Sequence, residues 1–142
     1  MSVEENREIE RRFIEEVINQ QNLAAADELV AEDVVELDPF PGQEPGREGL
    51  KGVLRMLFAA FPDQKWTIEE LIAEGDKVVN RFTWRGTHRG DFLGIAPTGS
   101  QVEVKGVVID RFADGKIADT RILMDNLGLM QQLGVVPTPQ QD

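Results

Sequence analysis

Asp125 is the carboxylate best placed along the sequence for acid/base chemistry. It follows the apolar run 122–124, where a predicted strand gives way to a short final helix. Apolar neighbours raise the pKa of a carboxyl group toward neutral pH, which favours efficient proton transfer. A second interpretation is equally open, because an Asp that precedes Asn126 and Leu127 can simply cap that helix through a side-chain oxygen.

Three more polar residues lie on strand faces that could bring them near Asp125. Strand alternation puts Arg121 on the face of Asp125, where it would hold a substrate oxygen or form a structural salt bridge. Asp110, on the preceding strand, would share a proton with a nearby carboxylate. His88 is the one histidine and the natural group to titrate near neutral pH, although a lone histidine is more often a hydrogen-bonded structural residue.

Five aromatic residues are candidates for the wall of a cavity. Aromatic side chains at helix or strand spacing are more often ordinary core, and that interpretation stays open. If they do line a cavity, its ligand is a small apolar molecule. The five are Phe40, Phe58, Trp66, Phe82 and Trp84.

Familiar cofactor and metal motifs are missing from the sequence. It contains no phosphate-binding loop, no dinucleotide-binding glycine pattern, no G-x-S-x-G and no H-E-x-x-H. With one histidine and no cysteine, a zinc ion would need carboxylates for its remaining ligands, and no close spacing provides them. We therefore expect no metal site and no organic cofactor.

Length and composition indicate one globular domain, which we expect to span residues 1–136 of the 142, followed by a flexible tail over 137–142. The net charge of -11 would repel nucleic acid. No apolar stretch is long enough for a membrane span. The acidic N-terminus and the absence of cysteine favour a cytoplasmic location.

Hydrophobic periodicity divides the chain into helices followed by strands. It predicts helices over residues 4–20, 22–33 and 46–61, a short strand over 34–37 and a loop rich in proline and glycine over 39–46. Two hairpins follow, with turns at 74–76 and 113–116, separated by a glycine-rich lip over 89–100, and a short helix ends the pattern. This order indicates an α+β fold in which a twisted antiparallel sheet wraps around the N-terminal helices and leaves a pocket at its open end.

Several segments resemble the SnoaL-like polyketide (ester) cyclase family of the nuclear transport factor 2-like superfamily. They are EGDKVV at 74–79, GTHRGDFLG at 86–94, PTG at 97–99, DGKI at 114–117 and LGLMQQLG at 127–134. The resemblance implies a cone-shaped curved sheet around a pocket, commonly in a homodimer. It also implies an aspartate at the end of the last long strand as the acid/base group, without metal or organic cofactor, and Asp125 occupies the matching position.

The resemblance implies a cyclase-like lyase or isomerase that closes a ring by intramolecular aldol chemistry on a small apolar carbonyl or polyketide-like compound. In that reaction Asp125 would take a proton from carbon, and His88 would be the partner of the enolate. An epoxide hydrolase using Asp110, Arg121 and Asp125 is an alternative, as is an isomerase of the same superfamily. A noncatalytic small-molecule binding or dimerisation module is a further alternative.

Overall fold

The N-terminal helix changes its winding halfway along its length. In the computed structural model, which describes residues 2–137, α1 spans Val3–Arg12 and begins where the Ser2 hydroxyl accepts a hydrogen bond from the Glu5 amide at 3.1 Å. The chain continues as a π-helical segment over Phe13–Asn19. Together the two segments confirm the helix predicted over residues 4–20. Wide π turns occur often at functional sites, and this one faces the protein interior.

The second predicted helix is much shorter than expected. A 3₁₀ turn over Leu23–Ala25 leads into α2, Ala26–Leu29, and the chain is already extended in β1, Val30–Glu36. β-branched valines favour the extended backbone, and β1 pairs with β5, Lys116–Met124. The prediction of helix to residue 33 was therefore wrong, because pairing with a distant strand overrides the local helical pattern.

The sheet has five strands in the order β1-β5-β4-β3-β2. The remaining three strands are β2, Lys65–Glu74, β3, Lys77–Thr87, and β4, Gln101–Ala113. All neighbours are antiparallel except β1 and β5, which run parallel. The expectation of a wholly antiparallel sheet is corrected at this one edge. Both predicted hairpins are confirmed, and the first turns at Gly75 with a φ of 59°, a conformation that favours glycine.

Two further helices complete the layer that covers the sheet. α3 spans Gly46–Ala60 and ends before Pro62, which cannot continue the helical hydrogen bonds. α4 spans Asn126–Gln132. Buried side chains from both helices and from all five strands form one core, so the predicted α+β fold, with a curved and unclosed sheet, is confirmed. Of the predicted tail, residues 138–142 lie outside the described residues.

None of the helices within residues 2–137 combines the length and the apolar composition that crossing a membrane requires.

Candidate functional site

An apolar cavity opens between the inner face of the sheet and the helices. Four of the five predicted aromatic residues line it, namely Phe40, Phe58, Trp66 and Trp84. The fifth, Phe82, is fully buried and stacks against Trp66 with ring centroids 3.6 Å apart, so it supports the wall from behind. The π-helical segment adds Phe13, Ile14 and Ile18. Such a lining suits a small, largely apolar ligand.

Four carboxyl groups interrupt this apolar lining. They belong to Glu10 of α1, Glu36 of β1, Asp38 of the following loop and Asp110 of β4. Within the described part of the chain, the residues that line the cavity include no lysine, arginine or histidine. The carboxyl groups therefore lack a basic partner among the residues that line the cavity.

Glu10 and Asp110 form a buried pair in the interior of the protein. Glu10 is completely buried and Asp110 is 3% exposed. Burial, followed by the charge of Asp110 and a hydrogen bond with it, holds the pKa of Glu10 well above its usual range, against the hydrogen bond from Asn80. Burial raises the pKa of Asp110 too, against hydrogen bonds with Glu10 and Thr120. Two carboxyl groups that share a hydrogen bond need a proton between them, and the raised pKa values favour the protonated pair, with the pKa of Glu10 raised well above its usual range.

Glu36 faces the same cavity from the end of β1. Burial raises its pKa to about 7, and the negative charges of Asp110 and Asp38 act in the same direction. The backbone N–H of Asp38, which donates to Glu36 Oε1 at 3.2 Å, has the opposite effect. Glu36 therefore exchanges its proton near neutral pH while it faces an apolar space, which is the condition for general acid/base catalysis.

Asp125 is not among the residues that line this cavity, although its neighbours Met124 and Asn126 are. Its side chain is exposed, and Oδ1 accepts a hydrogen bond from the Gly128 amide at 2.8 Å at the start of α4. The carboxylate packs so closely over Gly128 that a Cβ there would lie 2.3 Å from Oδ2. The geometry therefore favours the helix-cap interpretation of Asp125, since its oxygens point at the helix rather than at a ligand.

This placement predicts different effects for two substitutions of Asp125. Asp125→Ala removes the cap and should lower the free energy of unfolding by about 1 kcal/mol, whereas Asp125→Asn keeps a capping oxygen and should change it by a few tenths. Urea denaturation of the three proteins measures both values. Loss of acid/base activity in Asp125→Asn with unchanged stability would contradict the assignment.

Arg121 is also directed away from the cavity. Strand alternation does put it on one face of β5 with Leu123, but that face is the outer one, where Arg121 is exposed and Leu123 is 73% exposed. The inner face of β5 carries Thr120, Ile122 and Met124, and all three line the cavity. Arg121 and Asp125 therefore do not join Asp110 in the cavity, and the arrangement expected of an epoxide hydrolase is not formed.

His88 is completely buried but does not line the cavity. Its ring stacks on Phe61 with centroids 5.3 Å apart, and Nδ1 accepts a hydrogen bond from the Thr98 amide at 3.2 Å. The backbone of His88 also bonds to Ser100 and Gly99. These bonds tie down the predicted lip over residues 89–100, which brings Phe92 into the cavity lining. His88 therefore supports the cavity wall from behind.

The sequence contains signals for Glu10 and Glu36, two carboxylates that were not among the predicted site residues. Glu10 precedes Phe13, Ile14 and Val17 by three, four and seven positions, so it lies on the apolar stripe of its helix, where an acidic residue is unusual. Glu36 is two positions after Val34 on β1 and therefore shares its inward face. A charged residue on an otherwise buried face was the useful signal in both cases.

No set of three or more histidine, aspartate or glutamate side chains within residues 2–137 is arranged to hold a metal ion.

Comparison with known proteins gives a consistent family and fold. The family model for SnoaL-like polyketide cyclase matches residues 8–133. TsrD from Streptomyces laurentii superposes with a TM-score of 0.88 at 28% identity, over 96% of this chain and 99% of that one. A protein from Acidithiobacillus ferrooxidans, provisionally described as a polyketide cyclase, is 34% identical with a TM-score of 0.81, over 94% and 98%. AclR from Streptomyces galilaeus, provisionally described as a hydroxylase, is 26% identical with a TM-score of 0.86, over 99% and 87%. No curated protein matches the chain.

Proposed function

Because the chain belongs to the SnoaL-like polyketide cyclase family, we propose that it is an acid/base enzyme that needs no cofactor and acts on a small apolar carbonyl compound of polyketide type. One observation carries the proposal. Glu36 has a pKa of about 7 and faces an apolar cavity, and the protonated pair of Glu10 and Asp110 lines that same cavity. The site thus contains one group that exchanges a proton and another that is held protonated.

The proposed reaction begins with transfer of a proton from carbon to Glu36. The C–H bond next to a ligand carbonyl breaks, its proton goes to the Glu36 carboxylate, and the electron pair forms an enolate. The pair of Glu10 and Asp110 donates a hydrogen bond to the enolate oxygen as negative charge develops there. The enolate carbon then attacks a second carbonyl of the same molecule, and the resulting alkoxide takes the proton back from Glu36. Atoms and charges balance without an external reagent.

An isomerase is a second candidate, since Glu36 could return the same proton to a different carbon of the ligand. The cavity lining favours this over hydrolysis of an epoxide, because Arg121 and Asp125 are absent from it. Ring closure and isomerisation share the first step, so an experiment on proton abstraction tests both.

Exchange of carbon-bound protons provides that experiment. The protein is incubated with 2-tetralone in D₂O, and loss of the α-proton signals is followed by ¹H NMR against a buffer blank. We expect the protein to exchange these protons faster than the buffer blank, at a rate that saturates with increasing 2-tetralone. Asp125→Asn should retain this faster exchange. Binding of 2-tetralone, detected by tryptophan fluorescence, without faster exchange would identify a noncatalytic binding protein instead.

We also propose that the protein forms a homodimer through the outer face of its sheet. That face exposes Leu123, and Val107 lies opposite Leu123 in the β4–β5 register. Ile72, which is 56% exposed, and Ile109 lie on the same outer face by strand register, and a continuous exposed apolar patch is typical of an association surface. Leu123→Glu should therefore convert a dimer into a monomer in sedimentation velocity, with an unchanged far-UV spectrum. A monomeric wild type would contradict this proposal.

A further inference from the structure

A directed chain of hydrogen bonds leads from the cavity wall to the buried acid pair. The indole Nε1 of Trp66 donates to Oδ1 of Asn80 at 3.4 Å. An indole N–H can only donate, so this contact fixes the orientation of the Asn80 amide. Its Nδ2 then faces Glu10 and donates to Oε2 at 3.0 Å. Each hydrogen bond in this series is therefore donated in the same direction, from Trp66 to Asn80 and from Asn80 to Glu10.

The direction of these hydrogen bonds determines which oxygen of Glu10 carries its proton. Oε2 accepts from Asn80, so the protonated oxygen is Oε1, which is buried and accepts no hydrogen bond from the residues that the structure describes. On the far side of the pair, Thr120 hydrogen-bonds to Asp110. Donors at both ends leave the proton of Glu10 between the two carboxyl groups.

We propose that Asn80 is a positioning residue, oriented by Trp66, that fixes the proton of the acid pair on Oε1 of Glu10. Asn80 is completely buried and contacts no ligand itself, so it acts only through Glu10. Its catalytic consequence rests on the proposed function, in which this proton turns from Asp110 to the enolate oxygen as negative charge develops there. Its structural consequence can be measured without any ligand.

Infrared spectroscopy in D₂O reports this proton directly. A protonated carboxyl group has a C=O absorption band at a frequency distinct from the bands of carboxylates. The band that disappears in Glu10→Gln is the band of Glu10. Donation from Asn80 to Oε2 lowers the frequency of that band. Asn80→Leu, which is similar in size and has no donor, should raise the frequency. A merely structural asparagine would leave the band in place.

Gln64→Leu is the matched control. Gln64 is another buried amide that accepts from a cavity tryptophan, Trp84, at 2.9 Å, but its own amide group donates to the carbonyl of Ile18. Its replacement removes the same chemical group without touching Glu10 and should not move the band. A band that stays in place in Asn80→Leu, or moves equally in both variants, would overturn the proposal.

Trp66→Phe provides a second test if Asn80→Leu does not fold. It keeps an aromatic ring against Phe82 but removes the N–H that orients Asn80, so we expect the Glu10 band to broaden and move upward. An unchanged band overturns the proposal in this variant too. In the 2-tetralone assay we expect Asn80→Leu to slow exchange about tenfold, the effect of one hydrogen bond. A band shift without slower exchange would support the position of the proton and count against the proposed function.

Discussion

Glu36→Gln is expected to slow the exchange of 2-tetralone α-protons by about 10²- to 10⁴-fold, the usual contribution of a positioned general base. The amide has almost the same shape as the carboxyl group and can still accept the hydrogen bond from the Asp38 backbone. Binding of 2-tetralone should therefore change little, and the loss should appear in the rate at saturation. Tryptophan fluorescence and the exchange rate measured on the same samples separate the two effects.

The pH profile gives an independent test of Glu36. A base with a pKa of about 7 is protonated and inactive below that pH, so wild-type exchange should rise through pH 7 and level off above it. The profile of Glu36→Gln should lack this rise. Glu32→Gln is a suitable control, because Glu32 lies on the same strand, is exposed and does not line the cavity. Equal losses of exchange in the two variants would refute a specific role for Glu36.

The fold was largely predictable because it follows from local patterns. Alternation over β3, β4 and β5, together with turn residues such as Gly75 and Gly115, indicates two hairpins without any information on tertiary contacts. The short α2 was not predictable in this way. Its apolar spacing continues past Val30, and only pairing with β5 shows that the chain is extended there.

The site was less predictable because alternation identifies two faces of a strand but not which one is buried. On β5, alternation puts Arg121 and Leu123 on one face, yet the buried face is that of Thr120 and Ile122. Asp125 is a related case. Its position at a helix start satisfied both interpretations, and only the oxygen that reaches Gly128 distinguishes between them.

The acid pair depends on tertiary structure in a stronger sense. Glu10 and Asp110 belong to the first helix and the fourth strand. The apolar stripe around Glu10 indicates burial, but only the tertiary structure brings the two carboxyl groups together. Their raised pKa values follow from joint burial, against the hydrogen bonds from Asn80 and with Thr120. The family resemblance directed attention to the end of the last strand, whereas the geometry places the buried carboxyl groups on β1, β4 and α1.

Glu10→Gln is expected to make the stability of the protein much less sensitive to pH. Glutamate in the unfolded chain titrates near 4.5, and the pKa of Glu10 in the folded protein lies well above that value. Between the two values the folded state holds a proton that the unfolded state has released. The free energy of unfolding therefore falls as pH rises, by about 1.4 kcal/mol per pH unit for this proton. The stabilisation is complete below pH 4.5 and is lost as pH rises through the folded pKa.

Glutamine removes that dependence while preserving the contacts, because its amide can donate to Asp110 and accept from Asn80. Urea denaturation at a series of pH values above 4.5, up to the raised pKa of folded Glu10, should give a slope less negative by about 1.4 kcal/mol per unit than in the wild type. Surface carboxylates whose pKa values are lowered by ion pairs, such as Asp27 and Glu28, lose their contribution only in acid and do not affect this range. Glu8→Gln, an exposed change on the same helix, should keep the wild-type slope. An equally steep slope in Glu10→Gln would mean that Glu10 is ionised in the folded protein, and the proton assigned to the pair would have to be abandoned.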